Sequence, residues 1–208
     1  MSGRVTSLSF QPPEVAEDQA RAGYYALLAR LFYAGPDAGL LSSIAAAEAA
    51  VQGAEQSALA GAWRSLALAA RGTDAESAQR EYDQLFIGTG KAEVTPYATF
   101  YLAETGREKL LLGLRGDLAE FGLKRRERAS EPEDHISGLF DAMRHLIALG
   151  NDDAALQNQR AFFDRYIARC YQGLCAAISA SEKSNFYKHV AHFAEAFLVV
   201  DSEALKVF

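Results

Sequence analysis

An all-α fold is predicted by three observations. Alanine and leucine dominate an apolar half of the 208 residues, long β-branched runs are missing, and apolar positions recur at helical rather than alternating spacing. A chain of this length and apolar content can bury a sizeable core as one domain or as two closely packed subdomains of a helical bundle.

The first helix is expected over about 14–33, with Tyr24, Leu27, Leu28, Leu31 and Phe32 on its buried stripe and Tyr25 and Arg30 off it. Gly35-Pro36-Asp37 stops it. Helices follow over about 38–51, 54–71 and 74–86, each bounded by glycine or by the Gly72-Thr73-Asp74 turn. Residues 88–96 form a structured loop, because Gly88 and Gly90 loosen the chain and Pro96 biases Thr95 to extended geometry. Helical periodicity returns over about 107–121 and ends at Gly122 before the basic run Lys124-Arg125-Arg126-Glu127-Arg128. This run lies in a hinge, residues 123–131, between an N-terminal subdomain (1–122) and a C-terminal one (132–208). Ser130, Pro132 and Glu133 make a capping box for the next helix, whose stripe is Ile136, Phe140, Met143 and Ile147. Long helices over about 153–180 and 184–208 complete the chain.

With 21 Lys and Arg against 27 Asp and Glu, the net charge is −6, which disfavours nucleic acid and suits a cationic partner. The start of the chain has neither the charged nor the apolar region of a secretory signal, and no apolar stretch nears the roughly 20 residues that cross a bilayer. A cytoplasmic location without membrane insertion is therefore expected. Cys170 and Cys175 lie five apart, match no CxxC pair, and are expected to be reduced and packed.

Motifs for catalysis are missing: there is no GxSxG, no full P-loop and no GxGxxG after a strand, so neither an enzyme nor a cofactor is predicted. Gly88-Thr89-Gly90-Lys91 lacks the spacing for phosphate. His189, His192 and Glu195 share a helix face, and a metal-dependent bundle enzyme is the alternative of another class. Asp134 and His135, taken as helix neighbours about 100° apart, cannot form a self-contained dyad; at a helix N-terminus they make an anionic corner suited to guanidinium groups. Tyr82, Phe86, Tyr97, Phe100 and Tyr101 flank the irregular loop, where aromatic faces could line a peptide groove.

Tyr82-Asp83-Gln84-Leu85-Phe86-Ile87-Gly88, Pro96-Tyr97 with Tyr101-Leu102, and Glu131-Pro132-Glu133-Asp134-His135 together resemble the TorD/DmsD chaperones of exported molybdenum enzymes. Phe162-Phe163 and Asn185-Phe186-Tyr187 extend the resemblance over about residues 20–200. It implies an all-helical fold of two subdomains joined at a hinge, and a cytoplasmic chaperone binding the twin-arginine signal peptide of a molybdopterin enzyme precursor or, as the alternative within the family, an accessory protein binding the mature part of a molybdoenzyme such as formate dehydrogenase for cofactor insertion. Carried over by motif, peptide binding falls to Tyr82, Phe86, Asp134 and His135, with Pro96 and Tyr97 shaping the nearby turn. Tyr82 stands where some relatives have tryptophan, and Tyr166 where many have a Pro-Trp pair. The hinge is compatible with a monomer or a domain-swapped dimer.

Overall fold

The computed structural model describes residues 13–47, 57–88, 92–123 and 132–207. Among them are ten α-helices: α1 (Pro13–Tyr33), α2 (Ala38–Ala46), α3 (Ala58–Arg71), α4 (Ala75–Tyr82), α5 (Ala98–Leu102), α6 (Arg107–Glu120), α7 (Ile136–Leu149), α8 (Asp153–Phe162), α9 (Tyr171–Ala180) and α10 (Phe186–Lys206). No strand occurs among the described residues; the one β-type pairing is an isolated antiparallel bridge between Tyr97 and His135. The expected hinge, apart from Leu123, lies outside the described residues.

Several helices start where a side chain accepts an otherwise orphaned N–H. Asp37 caps α2, Ser57 caps α3, Asp74 caps α4 and Asp152 caps α8. One continuous core follows, with α1 packed along α7, and α10 along α3 and α9. Helices from either side of the expected hinge thus pack directly together. Trp63 of α3 sits against Tyr24 and Phe193, with ring centroids 5.7 and 5.1 Å away.

Four local expectations need correction. On α1 the fully buried tyrosine is Tyr25, not Tyr24, because Asp201 of α10 offers its hydroxyl an acceptor at 2.6 Å. Asp201 also accepts from Arg21 Nε at 2.6 Å, and Arg21 reaches Gln159 at 3.2 Å, so a buried polar network ties α1, α8 and α10. The helix expected to reach residue 86 turns π-helical over Asp83–Ile87, where Gly88 N–H reaches back five residues to Asp83 at 2.8 Å. Gly88 closes that turn at φ +62°, a left-handed geometry open to glycine. The helix expected over 153–180 is likewise broken, by a π turn at Phe163–Ile167 that buries Phe163, Tyr166 and Ile167, and by a further turn before α9.

The fourth correction concerns the capping box. Ser130 lies outside the described residues, and α7 begins at Ile136 with His135 as its cap, so Pro132 and Glu133 precede the helix. Asp134 and His135 are accordingly part of a turn, not helix neighbours. Non-local bonds set this start: Ile136 N–H donates to Pro96 O and Ala98 N–H to Asp134 O, each at 2.8 Å. Cys170 and Cys175 are free and buried, as expected, and burial pushes both thiols up to about 12.

Candidate functional site

The stitching of Pro96-Tyr97 to Asp134-His135 creates a rigid corner from two distant motifs. Asp134 is 5% exposed, and its Oδ2 accepts from the Thr99 hydroxyl at 2.5 Å. His135 lies edge-on to Tyr97, with ring centroids 5.3 Å apart. Its Nδ1 accepts the Ser137 N–H at 3.3 Å and lies 2.8 Å from the Ser137 hydroxyl. An accepting Nδ1 leaves the neutral ring's proton on Nε2, so the imidazole acts as a cap here.

Beside this corner opens a groove of about 810 Å³. One wall is a face of α1, where Ala26, Ala29, Arg30 and Tyr33 fall at helical spacing. The first two turns of α7 supply Ser137, Gly138, Asp141 and Ala142, while Leu118 and Leu123 close the side along α6. Small residues on α1 and α7 make the floor apolar, and Asp37, Glu133 and Asp141 place carboxylates around it. Each carboxylate meets an arginine: Asp37 pairs with Arg30, Asp141 with Arg144 at 2.8 Å, and Glu133 with Arg115 in a two-pronged contact of 3.0 and 3.1 Å. Hydrogen bonding to Glu133, and then its charge, raise the Arg115 pKa, with a smaller contribution from Asp134.

The expected site residues divide by position. His135 lines the groove, and Asp134, Pro96 and Tyr97 stand directly behind it through the bridge. Tyr82 and Phe86 are each 5% exposed and belong to the aromatic core, Phe86 lying 5.8 Å from Phe32 and 5.2 Å from Tyr187. Tyr82 still touches the groove indirectly: its hydroxyl donates to Tyr33 O at 2.8 Å and fixes the end of α1. Just beyond, Gly35 lies so close to α4 that a Cβ there would meet Gln79 Cα at 2.9 Å. Phe100 is exposed beneath the Arg107 guanidinium, 5.1 Å from its ring centroid, and Tyr101 donates to Thr95 O at 2.9 Å, so these two serve other contacts.

Sequence reasoning missed the α1 and α7 faces of the groove. Arg30, off the apolar stripe of α1, was the available signal for one of them. His189 meets Ser65 at 2.9 Å, and no group of three or more His, Cys, Asp or Glu among the described residues is placed to hold a metal. Nor is any helix among them long and apolar enough to cross a membrane.

The family described as nitrate reductase delta subunit matches residues 52–176. The chain is also similar to proteins named chaperone protein TorD. That of Shewanella loihica is 30% identical over 205 residues, 90% of this chain and 94% of its own. Those of Photobacterium profundum and Vibrio parahaemolyticus are 28% and 27% identical over 130 and 134 residues, 58% and 60% of this chain. In these two cases the match spans 60% and 62% of the relative's length.

Proposed function

The chain belongs to the TorD family of chaperones, a non-enzymatic family, and from that premise we propose that it is a cytoplasmic maturation chaperone for a molybdopterin-dependent redox enzyme. It binds the enzyme's twin-arginine signal peptide in the groove between α1, α7 and the end of α6. The carrying observation is the pairing of an apolar floor with carboxylates at its edge. A twin-arginine leader offers the complement, two guanidinium groups followed by an apolar run.

In this reading His135 contacts the peptide and Asp134 supplies negative charge at the corner. Pro96, Tyr97, Tyr82 and Phe86 hold the walls in place. Calorimetry with a synthetic twin-arginine leader, and with the same peptide carrying alanines for both arginines, tests it. Binding is expected only with the arginines present, and Asp134→Asn should weaken it roughly tenfold with little loss of helicity. Equal binding of the two peptides would sink the reading.

A second reading keeps the family and changes the client surface. The description of the matching family, a nitrate reductase subunit, favours binding to the mature part of a molybdoenzyme. Retention of a leaderless client on the immobilised chaperone, with no peptide binding by calorimetry, would select it.

A further inference from the structure

The groove's three carboxylates are not equivalent. The side chains of Asp37 and Asp141 are 59% and 58% exposed, whereas that of Glu133 is 13% exposed. A carboxylate shielded from water gives the stronger charge-assisted hydrogen bonds, so Glu133 is the best guanidinium acceptor of the set. It lies next to Asp134, whose negative charge also acts on Arg115. Arg115 engages Glu133 through Nε and one terminal nitrogen, the two-pronged geometry a ligand arginine would use.

Arg115 differs from an ordinary structural arginine in its footing. Its side chain is half exposed, at 50%, whereas the apolar side of α6 is the one that packs, with Leu114 buried and Leu110, Leu111 and Leu118 half-buried against the core. The guanidinium is thus placed by its contact with Glu133 and not by burial.

We propose that Arg115 is an internal surrogate for a client arginine: it occupies Glu133 in the free chaperone, and an arginine-bearing peptide must displace it to bind. The inference rests on the peptide-binding reading above. It gives Glu133 the role of primary guanidinium acceptor and makes the Arg115 contact autoinhibitory. Displacement exchanges one guanidinium–carboxylate pair for another, so no buried charge is left unpaired. The apparent dissociation constant is the intrinsic one divided by the fraction of molecules whose Glu133 has released Arg115.

Calorimetry on the full chain with a synthetic twin-arginine leader tests this through the sign of the effect. Arg115→Ala should tighten binding about two- to fivefold, the range for releasing a half-exposed guanidinium. Glu133→Gln should weaken it, and the gain in Arg115→Ala should vanish for a leader with alanines in place of both arginines. A merely structural Arg115 predicts equal or weaker binding, and that result overturns the proposal while leaving the peptide-binding reading intact. A gain that persists without the peptide's arginines overturns it as well. If neither protein binds the leader, both readings fall.

Discussion

Helices α10 and α6 are built on opposite terms. The first turn of α10 is capped by a side chain from another helix: Glu81, 8% exposed, accepts from the N–H groups of Asn185, Phe186 and Tyr187 at 2.8, 2.9 and 2.7 Å. Ten residues of α10 are buried, among them Asp201, which holds Arg21 and Tyr25. By contrast α6 packs mainly on short α5, buries Leu114 alone and leaves Leu112 68% exposed. Leu110, Leu111 and Leu118 pack only half-buried against the core, and polar fastenings add to them: Arg115 to Glu133, and Asp117 to Arg165 and Tyr166, both at 2.6 Å. Because α10 is locked and α6 is tethered, one side of the groove can yield while the core keeps its shape.

The largest effect should come from unlocking α10. Glu81→Ala leaves three backbone donors without their acceptor and is expected to cost about 3 kcal/mol, measured as a lower urea midpoint by circular dichroism. A loss below about 1 kcal/mol would remove the distinction between the helices. An intermediate effect should come from alkali. Burial raises Cys170 and Cys175 from 9.0 to about 12; burial, reinforced by Asp201, raises Tyr25 well above 10.0, and burial, reinforced by Tyr82 and then by Glu81 and Asp83, does the same for Tyr187. All four favour the protonated form in the folded chain. Their contribution is therefore complete below the unfolded values; it is lost as pH rises through about 9 to 12 for the thiols and from about 10 upward for the phenols. The urea midpoint should fall over that window, and Tyr25→Phe should flatten part of the fall; an unchanged slope would count against a core held by neutral, buried phenols.

The smallest effect on stability should come from α6. Asp117→Asn weakens a partly exposed pair and is expected to cost less than about 1 kcal/mol. It should nonetheless raise amide hydrogen exchange across Arg107–Glu120 and leave that of α10 unaltered. Matching increases in both helices would show that they open together.

The difference between these helices also marks where sequence reasoning succeeds. Helical periodicity and glycine punctuation located α1, α3 and α6 closely, because burial of one face is written in local spacing. It failed where a partner distant in sequence decides. Consecutive Tyr24 and Tyr25 are equally apolar, and only Asp201 selects between them. The capping box at Ser130 and Glu133 is a sound local motif, yet the Pro96 and Asp134 carbonyls set the chain's path into α7. At the site, the quoted motifs located the corner, since Pro96-Tyr97 and Asp134-His135 do meet. The groove beside it is formed by Ala26, Ala29, Gly138 and Ala142, residues whose importance lies in being small and carries no motif.

Trp63 is the chain's single tryptophan, and it is 8% exposed within the Tyr24–Phe193 cluster, outside the groove lining. Its indole emission is therefore an optical gauge of the α3–α10 contact: the emission colour shifts to the red when water enters the core and holds steady when α6 alone moves. A change of colour on adding a ligand would mean that a disturbance had crossed from the tethered side of the molecule to the locked one.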